Sequence, residues 1–397
     1  VIIRRSLKSA GFWLFLFLGT LVAIEVTLQL VCLISPKADG LLSSRTGLHV
    51  PDPKLGTRPT SNFPEHDARG WRNEKIASRP EVVALGDSMT YGVWARREDA
   101  WPQQLERIGN IRTYNMAYGG YEPIRYLILS DEALELKPKL VIEAIYAGND
   151  LWEAYESVYA DGRAPELRTA DEALLKEFSA KDKEVSVWDV SRDRFEPRRA
   201  LKDVLGKYSR IYGMLWLFKA MVMPDHTWPW FWIKYQAAGF PPWEVFQYDG
   251  IRTILTPSYR LLALDQTDPR IREGLRLSLE AIKRTNDRLN AAGVRFLVLF
   301  IPTKELVLEP YPGSTQLKNP EACERQRANE KQMWQAMREH LVSHGIPFAD
   351  PLPELRRSVE SGKSPFLINH DAHPNAEGHR AIALSAVSEI RERRLLD

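Results

Sequence analysis

Two stretches limit what this chain can fold into: "KLVIEAIY" at 139–146 and "VRFLVLFIP" at 294–302, both apolar at nearly every position. A strand with one wet face alternates polar and apolar residues. A strand apolar throughout must be covered on both faces, as in a parallel sheet between helical layers. Three more short runs fit the same role: "EVVALGD" from 81, "IRTYNMA" from 111 and "IPFAD" from 346. Helical patterns separate them. "WPQQLERIG" follows the first strand, and "IRYLILSDEALEL" carries Ile124, Leu127, Ile128, Ala133, Leu134 and Leu136. "GLRLSLEAIKRTNDRLNAAG" sets Leu275, Leu279, Ile282 and Leu289 on one face and ends at Gly293, a helix stop. Further helices are expected at about 321–344 and from about 375. The alternation predicts an α/β fold, a doubly wound five-stranded parallel sheet of flavodoxin-like type. Ligands of such sheets sit at the carboxyl ends of the strands.

The rhythm divides the chain into an apolar N-terminal segment at 1–35, a wrapping tether at 36–80, a first part of the α/β domain at 81–150, an inserted subdomain at 151–267 and a second part at 268–397. The insert carries Trp216, Trp228, Trp230, Trp232 and Trp243. These aromatics either form a small core of their own or present a surface to a membrane or a partner, since tryptophan favours boundaries with one wet side.

Residues 11–34, "GFWLFLFLGTLVAIEVTLQLVCLI", are long enough to cross a bilayer as a helix. Arg4, Arg5 and Lys8 precede the run, so the N-terminus is expected in the cytoplasm and everything after Pro36 outside. The run is too long for the apolar core of a signal peptide and lacks a clean cleavage site after it, which makes it an uncleaved anchor. The sequence opens at Val1 without a methionine, so a few preceding residues are expected. Glu25 and Gln29 share one helix face within the span. Either they dock an integral-membrane partner, together with the Trp-rich insert, or Glu25 is protonated or reaches toward the outer interface.

Composition excludes some classes. The 54 basic and 52 acidic side chains give a net charge of +2, no footprint for nucleic acid. Cys32 and Cys323 are the two cysteines; with the first in the apolar segment, neither a disulfide nor a zinc site is expected. No Gly-rich phosphate loop or dinucleotide fingerprint is present, so nucleotide binding is a distant alternative.

The strand exits carry the chemistry. The first strand breaks into "GDSMTYG", placing Ser88 at a turn with free backbone N–H groups. A serine there is a helix cap or a nucleophile. The second strand leaves through "NMAYGGYEP", whose Gly119 and Gly120 permit close backbone approach. The third leaves through "AGND", with Asn149 a neutral amide donor suited to an oxyanion. Before the last helix, "NHDAHPNAEGH" offers His373 as a base and Asp371 to hold its imidazole. Each has a plain structural reading alone; their shared position at strand exits is what points to catalysis.

In this order the blocks resemble those of the SGNH hydrolase superfamily, also called GDSL esterases and lipases. The likeness covers 81–150 and about 268–392. It implies a flavodoxin-like three-layer sandwich and acyl transfer to water or a hydroxyl without a cofactor. By the same resemblance Ser88 is the nucleophile, His373 the base and Asp371 its orienting carboxylate. The N–H groups of Ser88 and Gly120 and the amide of Asn149 form the oxyanion hole. Ala147 stands where the family usually has glycine. Asp371 and His373 are two apart rather than three, with His370 in the usual aspartate position. Polysaccharide O-acetyltransferases similar to this superfamily show the shorter spacing, and Asp350 is the second choice for orienting His373. Asp87 and Asp150 are expected to buttress their turns, and His379 to pack in the closing helix. Lys304 and Glu305, after the most apolar strand, are expected as solvated charges on the rim, Lys304 being the one placed to meet an anionic substrate. The resemblance thus implies an anchored extracytoplasmic esterase or O-acyltransferase on an envelope glycan or lipid. The competing expectation is a structural subunit of a membrane complex that keeps the domain as scaffold.

Overall fold

The computed structural model describes residues 2–35, 38–39, 42, 49–183, 204–205, 208–222, 244–312, 317 and 319–397. Strands β1 (His49–Asp52) and β2 (Gly56–Pro59) form an antiparallel pair in the segment leading to the domain. The central sheet is built from β3 (Val82–Leu85), β4 (Thr113–Asn115) and β5 (Leu140–Tyr146), and later β8 (Arg295–Ile301) and β9 (Phe348–Ala349). Between these lies a second antiparallel hairpin, β6 (Glu244–Tyr248) and β7 (Ile251–Leu255). The order in the sheet is β4-β3-β5-β8-β9 and every pairing is parallel. The first strand thus has its successors on opposite sides, which makes its carboxyl end the topological switch point.

Burial on both faces follows directly from the strand composition. Val83, Leu85, Val141, Ile145, Val298 and Phe300 face one core, shared with the helices Pro123–Glu135, Pro269–Ala291 and Pro320–Ser343. Val82, Ala84, Ile142, Ala144, Leu297 and Leu299 alternate to the other, with the helices Trp101–Gly109 and Ala376–Glu392 and hairpin residues Phe246, Ile251 and Leu255. Each buried Leu, Val or Phe contributes about 1.5–3 kcal/mol relative to exposure. The expected α/β sandwich with five parallel strands is therefore the observed one.

Ahead of the domain, the helix Ile2–Ile34 contains the apolar run Gly11–Ile34, largely uncovered by the rest of the chain. Residues 49–80 lie on the domain, with Trp71 and Leu55 buried in the first core. Both cysteines are free thiols. Of the tryptophans expected to mark the insert, Trp228, Trp230, Trp232 and Trp243 lie outside the described residues, as does the side chain of Trp216.

Candidate active site

The site is assembled at the carboxyl edge of the sheet. After β3 the chain turns at Asp87, whose side chain accepts the Met89 N–H at 2.8 Å and caps the single helical turn Ser88–Tyr91. Gly92 ends that turn in the left-handed region at φ +84°. Asp87 is fully buried. Burial pushes its carboxyl up to about 6, against the Met89 N–H and the nearby His373 charge, which act downward. The Ser88 hydroxyl donates to Asp87 Oδ2 at 3.4 Å.

The turn is stapled from the preceding segment. Arg72 donates through Nη1 to the carbonyls of Tyr91 (3.0 Å) and Gly92 (2.6 Å), and through Nη2 to Ala95 (2.9 Å). Asn115, buried at the end of β4, donates to the Thr90 carbonyl at 3.0 Å and accepts the Ala117 N–H at 3.0 Å. It thereby ties the second strand exit to the serine turn. Gly119 borders Ser88: a Cβ built there would lie 3.7 Å from the serine Cβ. Gly120 needs its glycine for backbone reasons, with φ +76° and open space around the missing Cβ. Among the described residues, no protein acceptor takes the backbone N–H of Ser88 or of Gly120.

Asn149 precedes the helix Asp150–Tyr159 at the exit of β5, the strand beside β3. Its amide lies against buried Glu153, and its Oδ1 is buried without a partner among the described residues. Asp150 accepts the Tyr146 N–H at 3.0 Å, the buttressing expected of it.

Across the edge, Asp371 Oδ1 accepts both His373 Nδ1 (2.5 Å) and the His373 backbone N–H (2.9 Å). Its other oxygen accepts the indole N–H of Trp94 at 2.7 Å. Burial opposes the charge on Asp371, but the His373 charge and these hydrogen bonds outweigh it and hold the carboxyl far below the usual carboxylate range. Asp371, not Asp350, orients the imidazole; Asp350 instead pairs with Arg338 at 2.5 Å. With Nδ1 committed to the carboxylate, Nε2 is the free nitrogen. It is screened from solvent and has no hydrogen-bond partner among the described residues. Ser88 and His373 are thus not hydrogen-bonded to each other: the hydroxyl is turned onto Asp87.

Lys304 and Glu305 are corrected by the structure. Both are completely buried rather than solvated on the rim. The hairpin β6–β7 closes over them, and Lys304 Nζ donates to the carbonyls of Asn369 (3.0 Å) and Asp371 (2.9 Å) and to Thr253 Oγ1 (3.3 Å). Glu305 accepts the Thr256 N–H at 2.7 Å. Burial pulls the Lys304 ammonium down to about 8, with Glu305 and Asp371 opposing. His379 packs fully buried in the first turn of the closing helix, and burial pushes its imidazole down to about 3.

Sequence reasoning missed two residues of this constellation and misplaced a third. Trp94 stands two residues past the first block, in a loop without pattern. Arg72 belongs to a stretch read as tether. Lys304 had a signal, a lysine directly after the most apolar strand, but nothing local showed what would cover it.

A serine at the switch point, backbone N–H groups without a protein acceptor among the described residues and a carboxylate-oriented histidine thus share one edge of an α/β sheet. Residues 263–397 match the family model described as "SGNH hydrolase-like domain, acetyltransferase AlgX"; this part holds Asp371 and His373, while Ser88, Gly120 and Asn149 precede it. No curated protein matches the chain. Solved structures similar to it include an extracellular lipase from Streptomyces rimosus, at 13% identity over 79% of this chain and 99% of that chain, with a TM-score of 0.37. A catalytic mutant of an acetylxylan esterase from Geobacillus stearothermophilus is similar at 12% identity, over 79% of this chain and 95% of that chain, with a TM-score of 0.36. A GDSL-like lipase from Bacteroides thetaiotaomicron is similar at 10% identity, over 80% of this chain and 93% of that chain, with a TM-score of 0.35.

Proposed function

We propose that the protein is a membrane-anchored, extracytoplasmic serine esterase or O-acyltransferase that acts on acyl esters of an envelope glycan or lipid. The observation that carries this reading is the Asp371–His373 pair, whose 2.5 Å bond leaves Nε2 available as a base at the edge where Ser88 sits. Catalysis begins with rotation of the Ser88 hydroxyl from Asp87 to His373 Nε2. The oxygen attacks the ester carbonyl while the imidazole takes its proton. The N–H groups of Ser88 and Gly120, with the Asn149 amide, hold the oxyanion; one such donor lowers the barrier by about 3 kcal/mol. His373 then protonates the leaving alcohol. Water or a sugar hydroxyl, deprotonated by His373, takes the acyl group from Ser88. The match to an acetyltransferase family model supports acetyl as the group carried. The apolar helix supports anchoring, and the basic residues before it support an extracytoplasmic domain.

The second reading is a scaffold without turnover, favoured by the Ser88 hydroxyl resting on Asp87. A fluorophosphonate probe separates the two. An enzyme labels at Ser88 and hydrolyses p-nitrophenyl acetate, and Ser88→Ala lowers that rate by at least about a thousandfold. Absence of labelling with wild-type rates in Ser88→Ala would sink the catalytic reading.

A further inference from the structure

The polar face within the apolar N-terminal helix is occupied by the chain itself. Glu25 Oε1 accepts the backbone N–H of Arg210 at 2.8 Å, and Oε2 accepts the Ile211 N–H and the Ser209 hydroxyl, each at 3.0 Å. Gln29 Nε2 donates to Glu25 at 2.8 Å and to the Tyr208 carbonyl at 2.7 Å. This set caps the N-terminus of the helix Arg210–Val222, where free N–H groups and the helix dipole favour a carboxylate. Arg210 extends to Asp39 at 2.7 Å, beyond the end of the apolar run. Gly213 lets the helix press on the Leu42 carbonyl, where a Cβ would collide.

Glu25 stands nine residues before Ile34, about 13 Å along a helix at 1.5 Å per residue. In a hydrocarbon layer of about 30 Å, that depth is well inside. Groups hydrogen-bonded to Glu25 share its depth. Among the described side chains of the capped helix, Met214, Leu215 (57%) and Phe218 (63%) are exposed, and Tyr208 is exposed just before it. Val22 and Val26 of the packed anchor are exposed as well. Thirteen residues are too few to span the layer. A part-inserted helix survives there only if its end is satisfied by protein, which is what Glu25 provides. Arg210 directs its charge outward along an apolar stem.

We propose that the helix Arg210–Val222 is embedded in the lipid bilayer beside the anchor, with Glu25 as its polar socket and acyl chains covering Leu215 and Phe218. The inference rests on the anchor reading above and is independent of the catalytic one. It assigns the Glu25–Gln29 face to this chain rather than to a separate membrane protein.

The test is spin labelling of the full chain in phosphatidylcholine vesicles, on a Cys32→Ala, Cys323→Ala background. Labels at Leu215→Cys and Phe218→Cys should collide with oxygen at least about fivefold more effectively than with a water-soluble nickel chelate, as a label at Val22→Cys in the anchor does. A label at the exposed Arg391→Cys should show the reverse. Adding Glu25→Ala should raise nickel access at 218 severalfold and leave Val22 unchanged. Water-exposed labels at 215 and 218 with Val22 in lipid would overturn the proposal alone. Labels shielded from both reagents would also overturn it, because protein, such as a second copy, would then be the cover. A water-exposed Val22 would overturn the anchor reading and this proposal together.

Discussion

Trp94 holds a left-handed backbone conformation, φ +65°, uncommon for a bulky L-residue. Its ring is 60% exposed, yet its indole N–H reaches Asp371 at 2.7 Å. Strain and exposure together suggest a side chain held for what it touches. Trp94 acts as a positioning residue: it fixes the outer oxygen of Asp371, so the inner one stays on His373 Nδ1. A hydrogen bond to a charged group is worth about 1.5–3 kcal/mol, less where water competes. Trp94→Phe should therefore lower kcat for p-nitrophenyl acetate about tenfold, with KM changed less than twofold. An unchanged kcat would leave Trp94 a surface residue. The indole was not legible in the sequence because the contact spans 277 positions and no local pattern marks its loop. Ser88 and the Asp371–His373 pair were legible because each sits in a block whose residue types the chemistry requires. What those blocks did not show is the resting direction of the Ser88 hydroxyl, toward Asp87 Oδ2 at 3.4 Å.

At the scale of elements, the loop carrying Asp371 and His373 is pinned from below by the end of β8 and the edge of β7. Lys304 binds two of its carbonyls, and Thr253 Oγ1 donates to the carbonyl of Leu367 at 2.8 Å. Lys304→Met keeps the stem and removes the donor, leaving the Asn369 and Asp371 carbonyls without it. The expected result is a melting temperature several degrees lower and kcat reduced more than tenfold. A lower melting temperature with full kcat would confine Lys304 to stability. The same sheet carries a second buried charge problem. Glu143 in β5 is completely buried, and among the described residues neither carboxyl oxygen has a hydrogen-bond partner. Burial, with Glu122 nearby, pushes its carboxyl well above the usual glutamate range. A raised folded-state pKa gives a contribution that is full below about 4.5 and is lost as pH rises through the folded value. Glu143→Gln is neutral throughout, so its melting temperature relative to wild type should climb between pH 5 and pH 8. A constant difference across that range would show that Glu143 does not titrate this way. The strands themselves were readable because continuous apolar runs demand cover on both faces. The glutamate within one of them was readable only as a letter, since its pairing depends on neighbours from other elements.

For the whole molecule, the question is what environment the two ends of the fold demand. The α/β domain is self-contained, with both faces of its sheet covered by its own helices. The run Gly11–Ile34 has no such cover: Phe12, Trp13, Phe15 and Leu33 are all exposed. Each apolar side chain left in water forfeits about 1.5–3 kcal/mol, and the run holds more than a dozen. No surface of the described domain buries it, and its 24 residues match the length that the proposed bilayer anchor needs. The prediction is that the full chain stays with the membrane pellet after alkaline carbonate washing and is released by detergent. Protease added to sealed right-side-out spheroplasts should digest the domain if, as proposed, the basic residues Arg4, Arg5 and Lys8 keep the opposite end in the cytoplasm. Release by carbonate would mean that the apolar helix is covered by protein instead. Protection from protease would reverse the orientation and move the proposed acyl chemistry to the cytoplasmic side, away from envelope glycans.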